Sequence, residues 1–203
     1  MQPGILPAQS LRHLIETGAL AADPAIIPAQ IQPASLDLRL GTIAYRVRAS
    51  FLVGKDRKVA DRVAEFEMHR IDLAQGAVLE KGCVYVIPLM ERLALPAGIT
   101  AVANAKSSTG RLDLLTRTIT DGGTEFDRIP EGYTGPLYAE VCPKSFSVLV
   151  RAGQRLNQIR FRQGQSVLTD AELTALNAAE PLVSGTAMIS EGLGFSVDLC
   201  PTT

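Results

Sequence analysis

The chain has 203 residues, 46% of them hydrophobic and 20% charged, with a formal net charge of -1 at pH 7. That length and composition fit one folded domain with or without a smaller appendage, and exclude a disordered chain or one with a strongly basic surface, so long nucleic acid is not an expected partner. No apolar run approaches bilayer-spanning length, and the start Met1-Gln2-Pro3-Gly4-Ile5-Leu6-Pro7 lacks the pattern of a secretory signal, so no membrane partner and a cytoplasmic location are expected.

In chain order, the first expected element is a short helix over residues 10–18. It has Leu11, Leu14 and Ile15 on one face, Ser10 as N-cap and Gly18 as stop. Beyond it come brief period-two runs at residues 36–40, 84–87, 99–102, 146–150 and 158–161, punctuated by Pro and Gly. That texture predicts a mainly β domain, a barrel or a sandwich. Residues 55–67 are dense in charge and weakly patterned, which reads as a solvated excursion. Thr169, followed three positions later by Glu172, forms a capping-box pattern that opens a helix through Leu173 and Leu176, expected to lie on the outside. The organisation expected is a β domain over residues 1–165, then a helix and extension over 166–203. In that tail, Phe195-Ser196-Val197-Asp198-Leu199 echoes Ala34-Ser35-Leu36-Asp37-Leu38. The echo is either the opening of a second repeat or a chance match of a short pattern.

Cys83, Cys142 and Cys200 are odd in number and widely spaced, and His13 and His69 have no second ligand at metal-binding spacing. Neither a disulfide framework nor a protein-held metal is expected. Chemistry concentrates elsewhere. Asn104-Ala105-Lys106-Ser107-Ser108-Thr109-Gly110-Arg111-Leu112 packs cations and hydroxyls into a few positions, a donor set suited to phosphate oxygens. It is not a Walker A loop, and its plain alternative is a Ser/Thr-rich turn with two solvated cations. Glu140 is the lone carboxylate in the apolar run Leu137-Tyr138-Ala139-Glu140-Val141. On a strand it shares a face with Tyr138 and Cys142. A partly desolvated face there disfavours a charged carboxylate and suits a group that serves first as base and then as acid. The plain alternative is a solvent-facing glutamate on a half-exposed strand.

Four ordered motifs carry a resemblance: Ile31-Gln32-Pro33-Ala34-Ser35-Leu36-Asp37-Leu38-Arg39-Leu40-Gly41, then Ala105-Lys106-Ser107-Ser108-Thr109-Gly110-Arg111-Leu112, then Gly132-Tyr133-Thr134-Gly135 leading to Glu140, then Gly153-Gln154-Arg155-Leu156-Asn157-Gln158. Together they resemble the dCTP deaminase branch of the dUTPase-like family, from the first helix to about Phe161. The resemblance implies a distorted jelly-roll-like, dUTPase-type β-barrel with a short N-terminal helix and a peripheral C-terminal helix. It implies a homotrimer with sites at subunit interfaces, or a pseudo-trimeric assembly if the chain is half of a tandem protein.

The activity implied is hydrolytic deamination of dCTP to dUTP and ammonia, feeding dUMP and dTTP synthesis. Glu140 would be general base and acid, with Ser107 and Arg111 in support. Lys106, Ser108 and Gln158 would lie at the phosphates, and Tyr133 would be the motif aromatic of the substrate site. Mg2+ would arrive with the triphosphate, without zinc, because the H-x-E and P-C-x-x-C pattern of zinc deaminases is missing.

Three departures accompany the match. Ile129-Pro130-Glu131-Gly132 stands where many relatives read Ile-Asp-Pro-Gly, so Asp127 or Asp121 is the candidate to replace the sugar-site aspartate. Asp121-Gly122-Gly123-Thr124 reads as an inserted turn near the pyrimidine. The tail beyond Arg162 does not match the arm that closes over the triphosphate. Two further readings stay open: dUTP diphosphohydrolase activity, alone or added to deamination, and a non-catalytic nucleotide-binding unit supporting a second repeat.

Overall fold

Short alternating runs fold as thirteen strands in the computed structural model, which describes residues 3–165, 167–197 and 199. The strands are β1 (Gly4–Ile5), β2 (Leu20–Ala22), β3 (Leu36–Arg39), β4 (Ile43–Val47), β5 (Glu67–Asp72), β6 (Ala77–Leu79), β7 (Val84–Ala94), β8 (Ile99–Ala105), β9 (Leu114–Thr120), β10 (Arg128–Ile129), β11 (Thr134–Pro143), β12 (Val148–Val150) and β13 (Arg155–Gln163). Four helices accompany them: α1 (Ala8–Glu16), α2 (Val59–Phe66), α3 (Ser107–Gly110) and α4 (Asp170–Ala179). Each of the five period-two runs read from the sequence contains a strand, and the mainly β class is as expected.

The chain divides into the units Met1–Gly164 and Gln165–Thr203. In the first, all pairing is antiparallel. One sheet runs β1-β13-β8-β10, with β3 also on β13; the second runs β5-β4-β7-β11-β9, with β2 also on β7; β6 and β12 form a separate pair. The main core draws on both large sheets: Ile99, Ala101, Ala103, Ile159 and Phe161 from one, Tyr85, Ile87, Leu137, Ala139 and Val141 from the other. The first motif is stitched into this frame by its backbone. Leu40 donates to Gln154 O and receives Gly153 N–H, while Gly41 N–H meets Pro88 O at 2.8 Å. A Cβ at Gly41 would lie 2.6 Å from that same oxygen, so only glycine fits there.

Two details depart from expectation. α1 begins at Ala8 behind Pro7, so Ser10 lies within the helix rather than capping it. Proline suits the start of a helix because it has no N–H to leave unpaired there. The charged stretch at residues 55–67 is not simply solvated, because it carries α2. Val59 and Val63, one helical turn apart, are buried with Phe51 and Val53 against Val47, Val86 and Ile119, on the face of the second sheet opposite the main core. The charges that obscured the pattern line the outer side of the helix.

In the second unit the capping box forms as read. Thr169 Oγ1 accepts the N–H of Glu172, and Glu172 accepts the N–H of Thr169 at 2.7 Å. Asp170 accepts the backbone N–H groups of Glu191 and Gly192. Asp198 of the repeat echo, and Cys200, lie outside the described residues.

Candidate active site

β11 delivers Glu140 to the middle of the second sheet. Leu137, Ala139 and Val141 point into the main core, and Glu140 takes the opposite face. There it sits between Val86 on β7 and Arg117 on β9, its register partners on either side. It is only 2% exposed, which rules out the solvent-facing alternative.

A buried carboxylate requires a partner, and cross-strand pairing supplies Arg117. Both Nη2 and Nε of Arg117 reach the same oxygen, Oε1, at 2.5 and 3.2 Å. Oε2 is buried and, among the described residues, has no hydrogen-bond partner. The guanidinium is itself held, its Cζ over the Phe126 ring 3.7 Å from the centroid, and it donates to Ser50 Oγ at 3.1 Å.

Asp127 stands nearby in the connection between β9 and β10, at φ 62°. Its Oδ1 accepts the Thr118 N–H at 2.7 Å. Burial pushes its carboxyl up, the Thr118 bond and the Arg117 charge oppose that, and the Glu140 charge adds to it. Asp121 accepts the N–H of Val59, the first residue of α2. Tyr133 is buried, donating its hydroxyl to Pro136 O at 2.6 Å and accepting Asp121 N–H at 3.2 Å. Burial pushes its phenol up to about 12.

A second group gathers at the meeting of β3, β13 and the end of β8. Asp37, 1% exposed, is paired with Lys106 Nζ and lies 3.4 Å from Arg155 Nη1, both on Oδ2; its Oδ1 has no partner. Gln158, opposite Asp37 in the ladder, accepts the Ser35 hydroxyl at 3.3 Å. Lys106 and Gln158, matched from separate motifs, are thus brought together with Ser35 and Asp37.

Thr109 anchors the single turn α3 by its hydroxyl to Leu156 O at 2.9 Å; Ser107 and Ser108 lie on that turn and Arg111 caps its end. All three are exposed, and among the described residues their side chains form no hydrogen bond or ion pair. Within one chain they do not meet Glu140. Leu114, which follows α3, pairs with Pro143, three ladder positions from the Arg117–Glu140 pair, a separation of about 10 Å. Gly122, Gly123 and Thr124 of the turn read as inserted, with Glu125 after it, line a cavity of about 440 Å³ together with Lys55, Arg128 and Arg162; Glu140 is not among its lining residues. Among the described residues, no group of three or more His, Cys, Asp and Glu side chains converges, and no helix is long and apolar enough to cross a membrane.

Sequence reading missed Arg117, Phe126 and Ser50. Arg117 lies 23 positions from Glu140, and no spacing rule links them; the alternation of residues 114–120 was the only available signal.

Comparison with known proteins agrees with this frame. Residues 2–165 match the family model described as the 2'-deoxycytidine 5'-triphosphate deaminase (DCD) N-terminal domain. The chain is 32% identical over 161 residues to a protein of Methanoculleus marisnigri named "dCTP deaminase, dUMP-forming", covering 77% of this chain and 79% of that one. It is 26% identical over 174 residues to a protein of the same name from Methanobrevibacter smithii, covering 83% and 84%. It also resembles the crystal structure of 2'-deoxycytidine 5'-triphosphate deaminase from Agrobacterium tumefaciens, with 52% identity and a TM-score of 0.86 over 93% of this chain. The present chain spans 56% of the length of that one. The fold, the matched span and these similarities together place the chain in the family of 2'-deoxycytidine 5'-triphosphate deaminase N-terminal domains.

Proposed function

We propose that the chain deaminates dCTP hydrolytically, with Glu140 as the group that moves protons. The observation that carries this reading is a buried carboxylate with one oxygen neutralised by Arg117 and the other without a partner. Such a group is a base held ready in a desolvated place. Oε2 takes a proton as the water oxygen bonds to C4 of the cytosine. The carboxyl passes that proton to ring nitrogen N3, then takes the proton of the new C4 hydroxyl and delivers it to the amino group, which leaves as ammonia while the oxygen stays as the C4 carbonyl and the carboxylate is regenerated.

Lys106, Gln158 and the exposed α3 donors supply a surface for the phosphates, and the substrate is written as the magnesium complex of the nucleotide. We assign zinc no part in the reaction. His13 lies on α1 and His69 on β5, and neither belongs to a cluster of potential ligands among the described residues. Because Glu140 and the α3 donors do not meet within one chain, we infer that the site is completed between copies of the unit, as in a homotrimer or a pseudo-trimeric tandem assembly. Ser107 and Arg111 of one copy would then support Glu140 of another. Asp127 is the candidate for the sugar, with Oδ1 already committed to Thr118.

The test is ammonia release from dCTP with magnesium, with the nucleotides separated by chromatography. Glu140→Gln should lose on the order of 100-fold or more in turnover while retaining nucleotide binding. Near-normal turnover in that variant would sink the mechanism. A second reading, in which deamination is followed by hydrolysis to dUMP and pyrophosphate, is favoured by the names of the Methanoculleus and Methanobrevibacter relatives. Accumulation of dUTP as the final product would exclude it.

A further inference from the structure

We propose that Arg117 is a positioning residue for Glu140, fixing which carboxylate oxygen exchanges protons with water. The inference rests on the reading of Glu140 as the base. The protein holds a second buried glutamate, which shows by contrast what a purely structural pair looks like here. Glu91 is 1% exposed and uses both oxygens: Oε1 accepts Arg39 Nε and Gln30 Nε2, and Oε2 accepts Arg39 N, each at 2.8 Å. Nothing is left over for chemistry.

At Glu140 the two guanidinium nitrogens converge on one oxygen, and the other is buried without a partner. An arginine fork meets a carboxylate most strongly when its nitrogens take both oxygens. The arrangement at Arg117 forgoes that, and leaves Oε2 free. The fork is kept in this pose from outside the pair. The Phe126 ring lies beneath it, its centroid 3.7 Å from Cζ, and Ser50 Oγ accepts a hydrogen bond from Nη2. From the elements packed against Glu140, the charged groups are Arg117 of β9 and Asp127 of the β9–β10 connection, while β7 presents the apolar Val86. One fixed cation on one oxygen therefore sets the orientation of the carboxylate. A carboxylate free to rotate would present either oxygen, and misplacement of a reacting group on the scale of an ångström lowers rate steeply.

The experiment uses the full chain carrying Arg117→Ala or Arg117→Lys, beside wild type and Glu140→Gln. Ammonia release from dCTP gives kcat and KM, calorimetry gives dCTP binding, and thermal melting checks folding. Arg117→Ala should lose kcat on the order of 100-fold with KM and binding little changed, and added methylguanidinium should restore turnover severalfold. Arg117→Lys, which keeps the charge but not the two-nitrogen grip, should fall between.

A folded Arg117→Ala with wild-type kcat overturns the proposal, as does a loss that neither lysine nor methylguanidinium recovers. If Arg117→Ala fails to fold, full turnover in Arg117→Lys overturns it. When Glu140→Gln is silent and Arg117→Ala is normal, only the role of Arg117 falls. When wild type releases no ammonia, or Glu140→Gln retains near-normal turnover, the deaminase reading itself fails and this proposal falls with it.

Discussion

Replacing Glu91 and Glu140 by glutamine, one at a time, should separate a glutamate that holds the fold from one that does not. Glu91 accepts three donors in a place that is 1% exposed. In the better of its two orientations a glutamine keeps its oxygen toward Arg39 Nε and Gln30 Nε2, and turns its nitrogen against the Arg39 N–H. Two buried donors, the Arg39 N–H and the new amide, are then left facing each other, each at the low end of about 1–3 kcal/mol, and the two surviving bonds lose their charge assistance. The sum is about 3 kcal/mol, at the lower edge of what breaking a buried ion pair costs. For a chain of this size that is a fall in Tm of roughly 10 °C.

Glutamine at position 140 keeps its oxygen on Arg117 and puts its nitrogen where Oε2 already lacks a partner. It also removes a desolvated charge, while Arg117, with 30% of its side chain exposed, remains hydrated. The net change should lie within about 1 kcal/mol. Urea unfolding followed by circular dichroism, with a common slope, reads both values. Equal losses in the two variants, or a larger loss at Glu140, would refute the argument that Glu140 is the less satisfied of the pair.

Two further outcomes are expected. The Tyr133 phenol is pushed from 10.0 up to about 12 by burial, so the unfolded chain gives up this proton first as pH rises. The stability it contributes is complete below about pH 10 and is lost as pH climbs toward about 12. Tyr133→Phe should therefore show a shallower alkaline decline in unfolding midpoint over that range, and an unchanged slope would count against the burial argument. Mixing Glu140→Gln with Arg111→Ala in equal amounts should recover about a quarter of wild-type deamination if each site joins Glu140 of one copy to Arg111 of another, since about one interface in four is then intact. No recovery would place the whole site within a single chain.

Much of the fold was legible in the chain because its signals are local. Period-two alternation marked the strands carrying Leu36, Ile87, Ala101 and Ile159, and the Thr169–Glu172 pattern marked the start of α4. α2 was harder, since Val59 and Val63 lie among charges that suit a surface loop equally well. Only docking onto Val86 and Ile119 shows which face the helix buries. The donor run around Lys106 and the lone Glu140 stood out by residue type, but their surroundings did not. Pairing between Asp37 and Lys106 spans 69 positions, and that between Arg39 and Glu91 spans 52.

The sequence by itself determined the strand texture, the capping box and the ordered motifs that mark the family, because each depends on residues a few positions apart. Only the tertiary structure decided that Glu140 is buried, that Arg117 grips one of its oxygens over Phe126, and that the α3 donors lie beyond the Leu114–Pro143 end of that ladder, three pairs away. The physical reason is register. Shifting the β9–β11 pairing by a single residue would turn Arg117 to the other face and leave the carboxylate without its cation.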